Sequence, residues 1–262
     1  MIRLGMSEST LLFFYYLDNC KINNNLYKND QHQLINWLYT TSGFYDKNVN
    51  GQYFNFDSNH IKSTLVYNTY FSNLMNIVKN TNYELSINFH NIIPELLDYK
   101  VQFLKYINYY NKTIHYDLLS FVKNQNVLII NPLGKLYKQQ YDNGITLGMN
   151  SLKYINNGYS FFNNGIHNNI LETLESIYIQ INNTEFDRAI ISAGAYSSFM
   201  ANHIINLKKE VYIIGGNLPF YFNIKTKRVI DKFPGQINET FIIVPEDMKP
   251  HNFKLIEDGC YW

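Results

Sequence analysis

Between Asp187 and Gly216 the chain reads as an apolar run, a turn of small residues, a helical segment and a second apolar run. The first run is Ala189-Ile190-Ile191 and the turn is Ala193-Gly194-Ala195. The second run, Val211-Tyr212-Ile213-Ile214, is closed by Gly215 and Gly216. This order is that of a β-α-β unit. It constrains the fold strongly, because two parallel strands joined by a helix need a sheet covered on its faces. The turn also bears on chemistry. Small residues let a ligand approach a helix N-terminus, where unpaired N–H groups and the helix dipole favour an anion such as phosphate. The spacing is not Gly-x-Gly-x-x-Gly, so it does not select a particular nucleotide.

Other segments extend the pattern. Ile2 to Gly5 reads as a short strand and Ser7 as the cap of a helix that carries Leu11, Leu12, Phe13 and Leu17. Helices are expected over 31–41, 60–80, 92–110 and 167–181. The run Asn126 to Asn131, stopped by Pro132, is a buried parallel-type strand. Lys135 to Tyr141 reads as a short helix, and further strands are expected at 84–89 and 144–149. Residues 44–59 form an aromatic, turn-rich stretch that either covers a site or packs on the body. Residues 217–262, with Pro219, Pro234, Pro245 and Pro250, read as an irregular C-terminal wrap with one strand at 240–244. The fold expected is α/β: a mostly parallel, Rossmann-like sheet of about six strands flanked by helices. The chain reads as a single domain over 1–262. Residues 30–120 form its mainly helical layer, and 121–262 carry the main parallel-sheet segments.

Composition narrows the partners. A net charge of +1 gives no basic field for nucleic acid. No apolar run approaches the roughly 18 residues of a membrane span, and the start does not read as a signal peptide. Two cysteines at opposite ends, Cys20 and Cys260, make neither a metal pattern nor a disulfide framework, which points to a reducing compartment. Asn, Lys, Ile, Tyr and Phe are abundant, and all have AT-rich codons, so the skew reads as an AT-rich genome. The sequons at Asn111, Asn182 and Asn238 are expected by chance in such a chain. Against nineteen lysines stand three arginines, Arg3, Arg188 and Arg228. An arginine in this background either serves a fixed bidentate fork or is a surface residue that drift has left in place.

Ligands of open α/β sheets bind outside the carboxyl ends of the strands. That rule gathers Gly5, Met6, Ser7 and Glu8 after the first strand and Asn131, Pro132 and Lys135 after the third. Ala193, Gly194, Ala195 and Tyr196 follow the fifth, and Gly215, Gly216 and Asn217 the sixth. Taken singly, the glycines read as turns; taken together, the four segments read as one rim that handles a phosphorylated ligand. Glu8, in a helix first turn, is the candidate acid/base group or a capping carboxylate. Lys225, Lys227 and Arg228 read as a diphosphate clamp or a solvated turn. His203 reads as a packing or capping residue. No His-Glu-x-x-His, Asp-x-Asp, Gly-x-Ser-x-Gly or Walker loop occurs.

Several segments in order resemble a family of predicted glycosyltransferases found in bacterial surface-polysaccharide gene clusters and in large DNA viruses. They are Arg3-Leu4-Gly5-Met6-Ser7-Glu8, Gly43-Phe44-Tyr45, Val127 to Pro132 with Gln140-Tyr141, Phe186 to Tyr196, Gly215-Gly216, Lys225-Thr226-Lys227-Arg228, and Glu257 to Trp262. The likeness spans essentially the whole chain. The opening is also similar to that of D-type glycosyltransferases, which carry an Asp two residues before the Glu, where this chain has Met6. It further departs from the family at Ser197, usually Gly, and at Pro219, often polar. The resemblance implies transfer of a sugar from a nucleotide-sugar co-substrate to a glycan acceptor, without a metal or other cofactor. Glu8 and Arg3 would be catalytic, and Gly194, Ala195, Tyr196, Lys225 and Arg228 would hold the donor phosphates. Gly5, Ser7, Asn131, Lys135, Gly215, Gly216 and Asn217 would complete the rim. The setting implied is the cytoplasm, or a virus factory within it, and a homo-oligomer is compatible. The other readings are a non-catalytic carbohydrate- or nucleotide-binding protein, and another transferase or hydrolase of phosphate ligands on the same fold.

Overall fold

The computed structural model describes residues 2–4, 6–22, 24–49, 58–81, 83–85, 94–107 and 117–262; at 2–4, 6, 24, 58–60, 83–85 and 94 it describes the backbone. The chain forms two compact units. One comprises Met1–His115 and Ser160–Glu172, the other Tyr116–Tyr159 and Thr173–Trp262. The sequence reads instead as one domain. Apolar patterning identifies what is buried but not which buried faces share a core.

In the first unit, β1 (Ile2–Leu4) is followed by α1 (Met6–Asn19), α2 (Lys28–Thr40), α3 (Ser58–Ser63), α4 (Leu65–Asn80), β2 (Tyr83–Leu85) and α5 (Leu97–Tyr106). The helix expected over 60–80 is broken at Thr64, whose hydroxyl accepts the Tyr67 N–H at 3.2 Å and caps α4. Aromatic rings dominate the core. Phe14 stacks on Tyr27 at 5.0 Å, and Phe44 lies edge-on to Tyr39 at 4.9 Å and to Tyr70 at 4.7 Å. Phe44 and Tyr45 are therefore core residues, and the Gly43–Asp46 segment packs on the body. Residues 160–170 pin it there. Ser160 Oγ donates to the Gly43 carbonyl at 2.6 Å, and Ile170 N–H donates to Tyr45 O at 3.0 Å. The Tyr45 ring lies so close over Gly165 that a Cβ there would collide with it. The expected aromatic stretch at 50–57 lies outside the described residues, as do 86–93 and 108–116.

The second unit carries α6 (Leu118–Val122), β3 (Asn126–Ile130), α7 (Gly134–Asp142) and β4 (Ser151–Ile155). After α8 (Ile170–Asn182), whose first residues belong to the other unit, come β5 (Arg188–Ile191), α9 (Ser197–Asn206), β6 (Glu210–Ile213) and α10 (Leu218–Tyr221). Strands β7 (Ile224–Lys225) and β8 (Ile242–Ile243), with α11 (Lys227–Lys232) between them, complete it. Strands β3 to β6 make one all-parallel sheet in the order β4-β3-β5-β6. The expected α/β, Rossmann-like architecture is present in this unit. Val127 to Ile130 and Ala189 to Ile191 are buried throughout, as central parallel strands require.

Three expectations are corrected. Among the described residues the main sheet has four strands, and β1 pairs with β2 in a separate two-stranded parallel sheet, Ile2 beside Tyr83 through Leu4 beside Leu85. A three-residue apolar run identifies a strand but carries no register signal that names its partner. The strand expected at 144–149 is a turn: Gly144, Leu147 and Gly148 have φ of 101°, 49° and 79°, which extended backbone excludes. The strand falls at Ser151–Ile155, where Lys153 and Tyr154 are exposed and mask its pattern. Finally, α1 begins at Met6, so Ser7 sits inside its first turn and is not its cap. The wrap strand expected at 240–244 is found as β8, joined in parallel to β7.

Arg188 accounts for one of the rare arginines. Its Nη1 donates to Phe121 O at 2.6 Å, its Nε meets Glu210 at 2.5 Å, and its guanidinium stacks on the Phe121 ring. One planar fork thereby joins α6, β5 and β6 at the amino edge, which a lysine cannot do. Among the described residues no helix is long and apolar enough to cross a membrane. Ile190, fully buried between Ile129 and Tyr212, tests the sheet as the core of this unit. Ile190→Ala should cost about 2–5 kcal/mol. In a Trp37→Phe background, Trp262 alone reports the second unit, and its denaturation midpoint should fall accordingly.

Candidate functional site

The strand order reverses between β3 and β5. The chain leaves β3 through α7 towards β4, and it leaves β5 through α9 towards β6. Neighbouring strands whose connections diverge leave a crevice at their carboxyl ends, the position where open α/β sheets bind ligands. Asn131 closes its floor. This buried side chain donates from Nδ2 to the Ser192 carbonyl and accepts the Leu133 N–H on Oδ1 at 2.7 Å. Ser192 continues the tie by donating its hydroxyl to Gly215 O at 2.7 Å, so the ends of β3, β5 and β6 are cross-linked by side chains.

The turn after β5 is built as its composition suggests. Gly194 is exposed with φ 52°, in the left-handed region that favours glycine, while Ala195 and Tyr196 are buried. Helix α9 starts immediately after, at Ser197. The Ser197 hydroxyl accepts the Ala193 N–H at 3.1 Å and so fastens the turn from within. The departure from glycine at this position thus adds a hydrogen bond. Pro219, the other departure, lies in the first turn of α10, where a missing N–H and a fixed φ are favourable.

The two glycines after β6 serve different needs. Gly215 has φ 64°. Gly216 lies beneath Arg228, and a Cβ there would run into the guanidinium. Arg228 is half-buried, 4.9 Å above the Tyr261 ring, with Nη2 3.9 Å from Glu257 Oε2, and its backbone N–H donates to Cys260 O at 2.8 Å. Burial alone would lower its pKa, but Tyr261, Cys260 and Glu257 outweigh burial and hold it above its ordinary value. Beside it Lys227 pairs with Asp258, and its N–H donates to the Trp262 carbonyl at 3.2 Å. The basic segment and the Glu257–Trp262 segment therefore embrace each other. In the sequence the two segments read apart, and the cations read as a diphosphate clamp or a solvated turn. The Arg228 contact with Glu257 is loose and single-oxygen, short of the bidentate pairing an arginine fork can make.

The remaining rim residues fall as follows. Lys135 is exposed in the first turn of α7, Lys225 is half-buried on β7, and Asn217 Oδ1 accepts from Lys232 Nζ at 3.1 Å. Glu8 is half-buried in the first turn of α1, in the other unit. Arg3 lies on β1, its side chain outside the described set, and Gly5 lies outside the described residues. The rim expected from one sheet is thus gathered from three segments of the second unit, and the opening motif belongs to the first. His203 packs as expected, stacked on Tyr178 at 4.3 Å with Nε2 2.8 Å from Asn182 Oδ1, and burial lowers its pKa. Among the described residues no group of three or more His, Cys, Asp or Glu side chains could hold a metal ion.

Sequence reasoning missed Asn157. It is buried two residues past β4, at the same carboxyl edge, and its Oδ1 has no hydrogen-bond partner among the described residues. The signal is the Asn156-Asn157-Gly158 turn, which is obscured because the exposed Lys153 and Tyr154 weaken the apolar pattern of β4 before it. No family model matches the chain, and neither a curated protein nor a solved structure shows a significant match to it.

Cys260 reports on the Arg228 clasp. Burial, and then the Glu257 carboxylate, push its thiol up to about 11. The thiolate is the reactive form. In a Cys20→Ser background, alkylation should be slow at pH 7 and should rise with pH to half its maximum near 11. Glu257→Gln, by removing one of the causes, should shift that midpoint downward.

Proposed function

We propose that this protein is a glycosyltransferase that takes a sugar from a nucleotide-sugar donor and passes it to a glycan acceptor. The observation that carries the reading is the reversal of strand order between β3 and β5, where the exposed Gly194 turn leads into α9. That arrangement suits a phosphorylated ligand; the choice of sugar transfer rests on the resemblance of the ordered motifs. In this reading the turn at Gly194, Ala195 and Tyr196 receives the diphosphate, with Lys225 and Arg228 as its cations. The Arg228 guanidinium lies 4.9 Å from the centre of the Tyr261 ring, and the one carboxylate beside it, Glu257 at 3.9 Å, competes weakly with a phosphate.

The reaction is attack of an acceptor hydroxyl on the anomeric carbon. A new glycosidic bond forms, the bond to the diphosphate breaks, and the hydroxyl proton goes to Glu8 as general base. Backbone N–H groups and the two cations stabilise the leaving diphosphate. By the resemblance Arg3 would pair with Glu8 or with the donor phosphate, and Asn131, Lys135, Gly215, Gly216 and Asn217 would shape the rim in the second unit. With Met6 in the place of an aspartate, the chemistry proceeds without a divalent metal. The enzyme works in the cytoplasm, or in a virus factory if its AT-rich gene is viral, on surface or virion polysaccharide.

Two measurements test the reading. A nucleoside diphosphate should raise the melting temperature, with stabilisation of about 2.7 kcal/mol at a hundredfold excess over Kd. Gly194→Val, which strains the left-handed turn and blocks approach to its backbone, should abolish the rise. No shift with any nucleotide or nucleotide sugar would sink the donor site. For the chemistry, Glu8→Gln should lower sugar transfer in EDTA by about 10²–10⁴ while donor affinity stays unchanged. Near-normal turnover in a folded Glu8→Gln variant would remove Glu8 from the mechanism.

A further inference from the structure

Asn157 has no part in the reaction just described, yet it occupies the edge where the ligand would lie. It is 8 % exposed, and its Oδ1 is buried without a hydrogen-bond partner among the described residues. The amide is steadied by its own turn: Nδ2 donates to Gly158 O at 3.3 Å, while the Gly158 N–H donates to Asn156 Oδ1 at 2.8 Å. Gly158 has φ 69°, so the turn requires its glycine. A buried acceptor without a donor is destabilising and uncommon in folded proteins. A bound ligand carrying a donor removes that penalty.

We propose that Asn157 Oδ1 accepts a hydrogen bond from a ribose hydroxyl of the bound nucleotide. The inference rests on the reading of the Gly194 turn as the phosphate site. Chemistry makes the first selection. An amide oxygen only accepts, and phosphate oxygens at neutral pH also accept, so Asn157 repels phosphate and calls for a hydroxyl or N–H. Spacing makes the second. β4 lies two strands from β5, across β3, which at 4.7–4.9 Å per strand is about 10 Å. A diphosphate that starts at Gly194 and runs over Asn131 brings the sugar ring attached to it towards the end of β4. Asn157 is then a binding residue that selects for the hydroxylated ring and leaves the phosphate contacts untouched.

The test compares pyrophosphate, the tightest binder among UDP, GDP, ADP and CDP, and the 2′,3′-dideoxy analogue of that nucleotide, by calorimetry on the full chain. The wild type should bind the dideoxy analogue roughly threefold to tenfold more weakly than the ribonucleotide. Asn157→Ala should weaken the ribonucleotide by a similar factor, lose the preference, and leave pyrophosphate binding unchanged. Its melting temperature without ligand should fall only slightly, because the side chain gives up no Oδ1 hydrogen bond and only the long Nδ2 contact to Gly158 O; an asparagine held by its structure alone would lower it more. An undiminished preference for ribose in Asn157→Ala overturns the proposal. If that variant folds poorly, Asn157→Asp decides. It keeps an acceptor of the same shape and should keep the preference, and equal binding of both nucleotides overturns the proposal. Absence of binding by every nucleotide and by pyrophosphate in the wild type instead defeats the phosphate site itself, and this inference with it.

Discussion

The fold of the second unit turns on what happens where β3 and β5 part company. Up to Ile130 and Ile191 the two strands satisfy each other through the parallel ladder. The Ser192 N–H still donates to Ile130 O at 3.1 Å; beyond it the chains diverge, and the Ser192 carbonyl and the Leu133 N–H are left without ladder partners. The Asn131 amide replaces them, donating across the gap and accepting from its own turn. A neutral side chain with both a donor and an acceptor fits the position; a carboxylate lacks the donor and an aliphatic chain lacks both. The crevice can therefore open without leaving buried polar groups stranded at its base. The Gly194 turn, the Ser192 bridge to Gly215 and the seat of Arg228 on Gly216 are all arranged around that tied floor.

Much of this unit was legible in the sequence because its signals are local. Runs such as Val127 to Ile130 and Ala189 to Ile191, each ended by a turn former, specify buried parallel strands with little ambiguity. What failed was non-local or masked. β4 is an edge strand with Lys153 and Tyr154 exposed, so its apolar pattern is weak, while the Ile145-Thr146-Leu147 run next to it is more strand-like but is bent by Gly144 and Gly148. Misplacing the strand concealed Asn157. The partner of β1 was equally unreadable, since three apolar residues fit any parallel neighbour. The aromatic skew hid a different distinction. In the sequence Phe44 and Tyr45 fit either a cover over a site or packing on the body; they belong to the core, and the close fit of Tyr45 over Gly165 is visible only in three dimensions.

The arginines show how a mutational background can inform and mislead together. Scarcity draws attention to Arg188 and Arg228 but leaves open whether either uses a planar fork or has simply been left in place by drift. Arg188 uses the fork to join α6, β5 and β6 at the amino edge, far along the strands from the crevice. Arg228 lies against Gly216, Tyr261 and Glu257, where the second glycine of the pair makes room for it. The Lys-x-Lys-Arg segment and the C-terminal Gly-Cys-Tyr-Trp are one structural feature written in two places, which explains why both stand out in the same chain.

The path of the chain between its two units also has a bearing on synthesis. The segment that fastens Gly43 to Asp46 comes from residues 160–170, and Ser160 follows Gly43 by 117 positions. At about 5–20 residues per second, a ribosome needs roughly 6–23 s to supply it. Throughout that interval Phe44 and Tyr45 have emerged but their fastening has not. The first unit therefore matures only after β3 and β4 of the second have been translated, and the second in turn waits for Thr173–Trp262, so neither half is finished while the other is still unstarted.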